Sequence, residues 1–339
     1  MQLLYYAITL VFFFFLYSIL NWGLNLQFGR TGILNFAYIA FVALGAYVTG
    51  VLSLGPPVQG SGESYILGST LPFPLPLIVG GLAASALGLL IGLIAFRRLR
   101  SDYLAIVMIS VSIVLYDVVT NFVPLFDGAD GLNGVPEPFS GVFNLNANSF
   151  LYVFAAFAGL VALLGWWVMS RITSSPLDRT LRAIRDDPDV ARGLGKNVFG
   201  YQMLAMAVGS FFAGIGGGLL MEFVGAFNTS AWTSGETFVI FAALIIGGLG
   251  NNAGAIAGSL AVPVIFIELP KFLPQIGSNP ALIPEIDNII IGLLLIVTLW
   301  FRPQGLIPER KASFARLLAG QPSAKAAAPG DVLTEATSE

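Results

Sequence analysis

Nine apolar segments divide the chain, at about 3–26, 33–54, 75–96, 103–123, 150–170, 201–224, 237–249, 253–270 and 286–301. Most approach the roughly 20 residues that an α-helix needs to cross about 30 Å of hydrocarbon. Polar loops separate them at 55–73, which contains Pro56, Pro57 and Glu63, and at 124–149, which contains Asp127, Asp130 and Glu137. Two shorter breaks are rich in glycine and polar residues: GRTG at 29–32 and GGLGNN at 247–252. The pattern predicts an all-α, polytopic membrane bundle with about eight to ten crossings. The segments near 33 and 240 can be read as crossing or as re-entrant.

One polar stretch of a different kind interrupts this series. Ser175 to Gly200 carries most of the six basic residues found between Arg171 and Lys196, out of sixteen in the chain. At about 2.5–3.5 kcal/mol for each Lys or Arg at a helix centre, burying all six in lipid costs on the order of 15 kcal/mol or more, so the stretch lies outside the bilayer. Ser175-Pro176 and Asp187-Pro188 each read as an N-cap followed by proline in the first helical turn. Leu177, Leu181 and Ile184 recur at helical spacing and leave Arg179, Arg182 and Arg185 on other faces. Val190, Leu194 and Val198 continue an apolar stripe, and Gly195 suits a C-terminal stop. A charged helix pair with an apolar stripe suits a docking element. An ordinary positively charged loop reads equally well from spacing alone.

Composition narrows the class. Hydrophobic residues make up 56% of the chain, charged residues only 10%, and mean hydropathy is +0.83. A soluble domain carries about a quarter charged residues. With no cysteine, disulfides, iron–sulfur clusters and thiolate catalysis are excluded, and with no histidine the commonest metal ligand and general base is missing. No phosphate-binding GxxxxGK[ST] loop, HExxH pair or GxSxG elbow is present, so neither metal-dependent nor serine catalysis is expected, and no nucleotide site of that kind. The net charge of −3 points to no nucleic-acid partner. The first segment lacks a basic leader and a cleavage site and reads as a retained span.

Charge also orients the chain. With the N-terminus outside and alternate crossings, every Lys and Arg except Lys271 falls on the cytoplasmic side, which is what the positive-inside rule asks. The C-terminus is then cytoplasmic, and the tail from Lys311, rich in Ala, Pro and Ser, reads as disordered.

Small residues recur at intervals of four: Gly80, Ala84, Gly88 and Gly92, then Ala205, Gly209, Ala213 and Gly217. Such stripes let helix backbones approach, within the bundle or against a second membrane subunit. The glycine breaks suggest a transport path, with Gly29, Thr31, Gly32 and Asn35 from one and Gly247, Gly248, Gly250 and Asn251 from the other. Simple turns between helices explain them as well. Asp117 and Glu222 sit toward the outer ends of their spans and read as interfacial carboxylates rather than a proton relay.

These blocks resemble the permease subunits of ATP-binding-cassette importers for branched-chain amino acids, of the LivM type, over about Gly23 to Pro308. The residues that carry the resemblance are LRAIRDDPDVARGLGKNV at 181–198, then IGGLG at 246–250 and FRPQGL at 301–306. Upstream, GLNLQFGRTGILNF at 23–36, LGAYVTG at 44–50, SDYLAIV at 101–107 and DGLNGVP at 130–136 follow in order. Two places depart from the family pattern: Ala37-Tyr38 stands where a Gly-His pair is frequent, and NNAGAIAG lacks the usual proline. Both fall near the expected path and leave the substrate open, with urea, short amides and other amino acids among the family's cargoes.

The resemblance implies one permease domain over 1–308, with residues 309–339 as a cytoplasmic tail, in a prokaryotic plasma membrane. It implies a second permease of the LivH type, two cytoplasmic ATPases that bind the ATP, and an external binding protein. The chain would hold no cofactor and catalyse no reaction itself. Leu181, Ile184 and Val190 would anchor in an ATPase groove, with Arg182, Arg185, Asp186, Asp187 and Arg192 as charged contacts. A stand-alone secondary transporter or channel is the other class, and it would favour intramembrane charges, which are scarce here.

Overall fold

The computed structural model describes residues 2–57, 63–98, 101–139, 147–268 and 282–309. Arg100, Lys271 and the segment from 310 onward, which holds nearly all of the expected tail, lie outside the described residues. Within them the regular elements are helices apart from two short strands.

The first rod is α1 (Gln2–Leu24), which continues as a π-helical turn over Asn25–Arg30. A short irregular passage leads to α2 (Tyr38–Leu54). Next come α3 (Leu75–Arg98), α4 (Ser101–Asn121) and the single turn α5 (Val123–Phe126). Strand β1 (Leu132–Asn133) precedes α6 (Ala147–Ser174). The polar hairpin is α7 (Pro176–Asp186) and α8 (Pro188–Gly193), and α9 (Val198–Val224) follows. After β2 (Ala226–Phe227) come α10 (Ser234–Gly247), α11 (Asn252–Ser259) with a π-helical extension over Leu260–Glu268, and α12 (Leu282–Phe301).

Among the described residues six helices are long and apolar enough to cross a membrane: Leu4–Arg30, Leu75–Arg97, Tyr103–Asn121, Ser149–Ser174, Val198–Val224 and Thr229–Gly247. Three shorter apolar helices, Tyr38–Leu54, Asn252–Phe266 and Ile289–Phe301, account for the remaining segments of the hydrophobic pattern. At 1.5 Å per residue the 17 residues of α2 reach about 25 Å, short of a hydrocarbon layer. α2 is instead an inner helix: Tyr38, Phe41, Ala46 and Tyr47 are at most 1% exposed.

α9 is the hub, packed against α1, α2 and α3. The small-residue stripes make this possible. A Cβ on Gly80 would meet Thr49 Oγ1 and the Gly45 carbonyl, one on Gly88 would meet Ser210, and one on Gly92 would meet Met203. Gly217 lies against the Val42 carbonyl and Gly209 against Gln27. Both stripes are therefore used inside the bundle, where close backbone contact supplies the van der Waals packing that lipid otherwise offers equally well. The outer surface is apolar as a lipid-facing surface must be, with Leu90, Ile94, Leu163 and Trp300 exposed.

Besides a small group at the polar hairpin, the buried hydrophobic residues pack as one large cluster built on α1, α2, α3, α6 and α9 with Ile240, Phe241 and Leu244 of α10, and a smaller one. The smaller contains Val239, Ala242, Ala243 and Ile246 of α10, Val262 of the π-helical extension and Ile291 of α12. At one end of the bundle, β1 pairs with β2 and Asp127 accepts a hydrogen bond from the Ser64 N–H. Glu222 is buried there, not interfacial: it is 3% exposed and accepts from Ser53 Oγ at 2.6 Å, because α2 packs over that face of α9. Asp117 is exposed, as a residue at a helix end can be.

Candidate functional site

The opposite end of the bundle gathers the polar hairpin, both glycine breaks and the C-terminal strap, residues 302–309. Pro176 opens α7, with Ser175 extended at the N-cap position. The Ser175 side chain does not cap that helix; its hydroxyl donates back to the Ile172 carbonyl at 2.7 Å. Asp187 does cap α8, accepting from the N–H groups of Asp189 and Val190. Gly195 takes a left-handed conformation (φ 76°) and turns the chain toward α9.

α7 is strongly amphipathic, and both of its apolar anchors are used within the chain. Leu181 is 0% exposed and joins the large core, while Ile184 is 2% exposed and packs with Ala191, Val198 and Tyr201. The expectation that both face an ATPase therefore changes: the apolar side of α7 packs against the end of the bundle, which buries both residues within the chain. Of the expected apolar stripe, Val190 and Leu194 are 58% and 73% exposed, and Val198 is buried at the start of α9. Asp186, Asp187 and Arg192 are exposed, and Arg192 pairs with Asp189.

Two of the three basic residues of α7, Arg182 and Arg185, turn toward a charge cluster, while Arg179 is exposed. Arg30, at the end of the π-helical turn, pairs with Asp178, whose other oxygen lies 2.9 Å from Arg182 Nε. Arg182 and Arg185 each reach one oxygen of Glu309, both at 3.1 Å. Arg185 also donates to the Gly29 carbonyl oxygen. Five charges in partial burial are tolerable because each guanidinium has a carboxylate partner.

The two glycine breaks meet beneath this cluster. The Gly250 N–H donates to Asn25 Oδ1 at 2.9 Å, and Asn251 Nδ2 donates to the Pro308 carbonyl at 3.0 Å. Gly32 is left-handed (φ 77°) and lies under Arg185, where a Cβ would stand 3.2 Å from Cγ. Thr31 and Asn35 are buried: Thr31 Oγ1 donates to the Leu26 carbonyl, and Asn35 Nδ2 to Gln27 Oε1. Gly247 and Gly248 receive the strap, with the Ile307 N–H donating to the Gly247 carbonyl. The structure thus brings Gly29, Thr31, Gly32, Asn35, Gly247, Gly248, Gly250 and Asn251 together with α7.

Two cavities lie elsewhere in the bundle, and none of these eight residues lines either. One, of about 570 Å³, is an apolar crevice bounded by α1, α3, α6 and α9, including Leu77, Leu164 and Phe211. The other, of about 320 Å³, lies among α1, α2, α9 and α10 and includes Tyr17 and Glu236.

Sequence reasoning passed over Asn25, Gln27, Arg30 and Glu309 as parts of this site. A run of polar residues closing an apolar span was the available signal for the first three. Nothing local marks Glu309, the first residue assigned to the tail, because its partners are more than 120 residues away.

The chain matches the model of the family described as "Branched-chain amino acid transport system / permease component" over residues 6–299. It is 28% identical to the high-affinity branched-chain amino acid transport system permease protein LivM of Escherichia coli, covering 86% of this chain and 68% of the relative. Identity is also 28% to a probable LivM of Methanocaldococcus jannaschii, over 89% and 93%. A guanosine ABC transporter permease protein, NupQ of Bacillus subtilis, is 25% identical over 77% and 79%. No solved structure matches significantly. Six spanning helices and a match covering most of the chain make this a multi-pass membrane protein and a transport component, and it belongs to the branched-chain amino acid transport system permease family.

Proposed function

We propose that the chain is one of two permease subunits of an ATP-binding-cassette importer and carries branched-chain amino acids by alternating access. The second permease, two ATPases and an external binding protein complete the assembly. ATP is bound by the ATPases. The charged end faces the cytoplasm of a prokaryotic cell, and the N-terminus lies outside.

The observation that carries this reading is the two-sided hairpin at the charged end. Its inner side is bonded to the bundle through Leu181, Arg182, Ile184 and Arg185. Its outer side presents Val190, Leu194, Asp186, Asp187 and Arg192. Apolar side chains exposed beside paired charges suit a protein interface outside the membrane better than solvent. A partner gripping the outer side can then move the bundle through the inner side, a shift between two states driven by differential contacts. The paired glycine breaks, Gly29 to Asn35 and Gly247 to Asn251, lie where the inner mouth of the path has to open.

Reconstitution of all five components in liposomes tests the proposal. The expected result is leucine uptake that requires ATP, with hydrolysis stimulated by the loaded binding protein. Uptake at full rate without the ATPases overturns it. The relative named for guanosine favours one second reading, a nucleoside cargo. Competition by guanosine but not by leucine selects that cargo.

A further inference from the structure

The smaller of the two cavities, of about 320 Å³, holds a charged group that the larger lacks. Leu20 of α1, Ile39 and Val42 of α2 and Leu220 of α9 give it apolar walls. α10 closes it and supplies Glu236, the one charged residue among the described residues that line it. Tyr17 of α1 adds a hydroxyl. Ala226 and Ala231 also border the space, which places it toward the end of the bundle away from the hairpin. Glu236 is half-buried in the first turn of α10. The helix dipole favours a carboxylate in that turn, and the apolar walls strengthen its attraction for a cation.

A polar face of α1 leads on from this cavity. Tyr17, Asn21 and Asn25 follow at intervals of four along α1 and its π-helical continuation, which sets them on one side. Tyr17 borders the cavity, and Asn25 accepts from the Gly250 N–H at the glycine breaks. Asn21 lies between them and is 0% exposed. Its Nδ2 is bonded to Ser259, while its Oδ1 accepts no hydrogen bond among the described residues. A buried amide oxygen without a donor is costly, and here it stands between the cavity and the inner end of the bundle.

We propose that this cavity is the external cargo site, that it takes an α-amino acid with a branched apolar side chain, and that Glu236 binds the ammonium of that cargo. The inference deepens the importer reading and rests on it. Leu20, Ile39, Val42 and Leu220 take up the aliphatic side chain, where burial of apolar surface is favourable. Glu236 discriminates, because a neutral nucleoside or amide offers it no cation. The volume stands at the small end of the roughly 300–1,000 Å³ of ligand pockets, which suits a single amino acid. The face formed by Tyr17, Asn21 and Asn25 marks the way from this site to the glycine breaks.

The test reads occupancy directly. Ala231 is exposed at the cavity and the chain has no cysteine, so Ala231→Cys reports access through its rate of labelling by a membrane-impermeant maleimide. The two permeases with their ATPases are used in liposomes without the binding protein, so that no docking shields the thiol. Leucine is expected to slow the labelling, and isocaproate, which is leucine without its amino group, is not. With Glu236→Gln the half-protecting leucine concentration is expected to rise about tenfold, the weight of one charge-assisted hydrogen bond. The isocaproate comparison needs no change at Glu236. Equal protection by isocaproate, or an unchanged half-protecting concentration in the Gln variant, overturns the role of Glu236. Protection by guanosine in place of leucine overturns the amino-acid assignment. No protection at all, in a transporter that takes up leucine with ATP, overturns the site and leaves the importer reading intact. A complete transporter without ATP-dependent leucine uptake overturns both.

Discussion

Arg30 and Asp178 form an ion pair sealed from solvent, with side chains 5% and 7% exposed, across 148 positions of sequence. The pair ties the end of α1 to the first turn of α7, where a carboxylate is also favoured by the helix dipole. Together with the bonds of Arg182 and Arg185 to Glu309 and of Arg185 to the Gly29 carbonyl, it fixes the orientation of a hairpin whose apolar side already packs on the bundle.

Removing one partner is costly. Asp178→Ala leaves two guanidinium groups without their shared carboxylate and is expected to destabilise the protein by about 3–5 kcal/mol. Arg30→Met costs less, because Arg182 still pairs with Asp178. The double variant is expected to fall short of the sum of the singles, measured as a double-mutant cycle on thermal unfolding in detergent. Strict additivity would show that the two residues do not interact.

A neutral buried contact behaves differently. Asn21 Nδ2 donates to Ser259 Oγ at 2.7 Å, joining α1 to α11 inside the bundle. Hydrogen bonds between membrane helices average about 0.6 kcal/mol and reach about 1.7. Asn21→Leu is therefore expected to cost well under half of what Asp178→Ala costs in the same unfolding assay.

Backbone contact can be tested with one methyl group. Gly217→Ala drives a Cβ into the Val42 carbonyl, and the α2–α9 contact has to open, at about 1–3 kcal/mol. Gly292→Ala on α12 meets nothing within 4 Å and is expected to be neutral or to stabilise by up to about 1 kcal/mol. Equal melting temperatures for the two variants would contradict the packing described for α9.

The outer side of α8 should separate docking from folding. Val190→Asp and Leu194→Asp change exposed positions and are expected to leave stability within about 0.5 kcal/mol of wild type. Co-purification with the ATPases should be lost in both. Arg185→Glu is a poorer probe, since it sets a carboxylate against Glu309 and gives up the bond to Gly29. Full ATPase recovery with both α8 variants would remove this face from the interface.

The class of the protein and the position of its hairpin were legible from one end of the chain to the other. Apolar runs of spanning length and a basic stretch too charged for lipid are local properties, and each follows from transfer free energy alone. Small-residue stripes announced close packing in the same way, though not their partners. The Asp187 cap and the Gly195 turn were equally readable, because both depend on residues within one helical turn.

What the hairpin grips was not legible. Leu181, Ile184, Arg182 and Arg185 look like a face offered to another protein until α1, α9 and the strap are seen closing over them. Asn25 with Gly250, Arg30 with Asp178 and Arg185 with Glu309 join residues far apart in the chain. Spacing and propensity act over a few residues, so the sequence by itself determined the spans, their polar interruptions and the local turns. Which buried charge meets which, and which face remains outward, was decided only by the tertiary structure, because a charge leaving water must find its partner wherever the fold brings one.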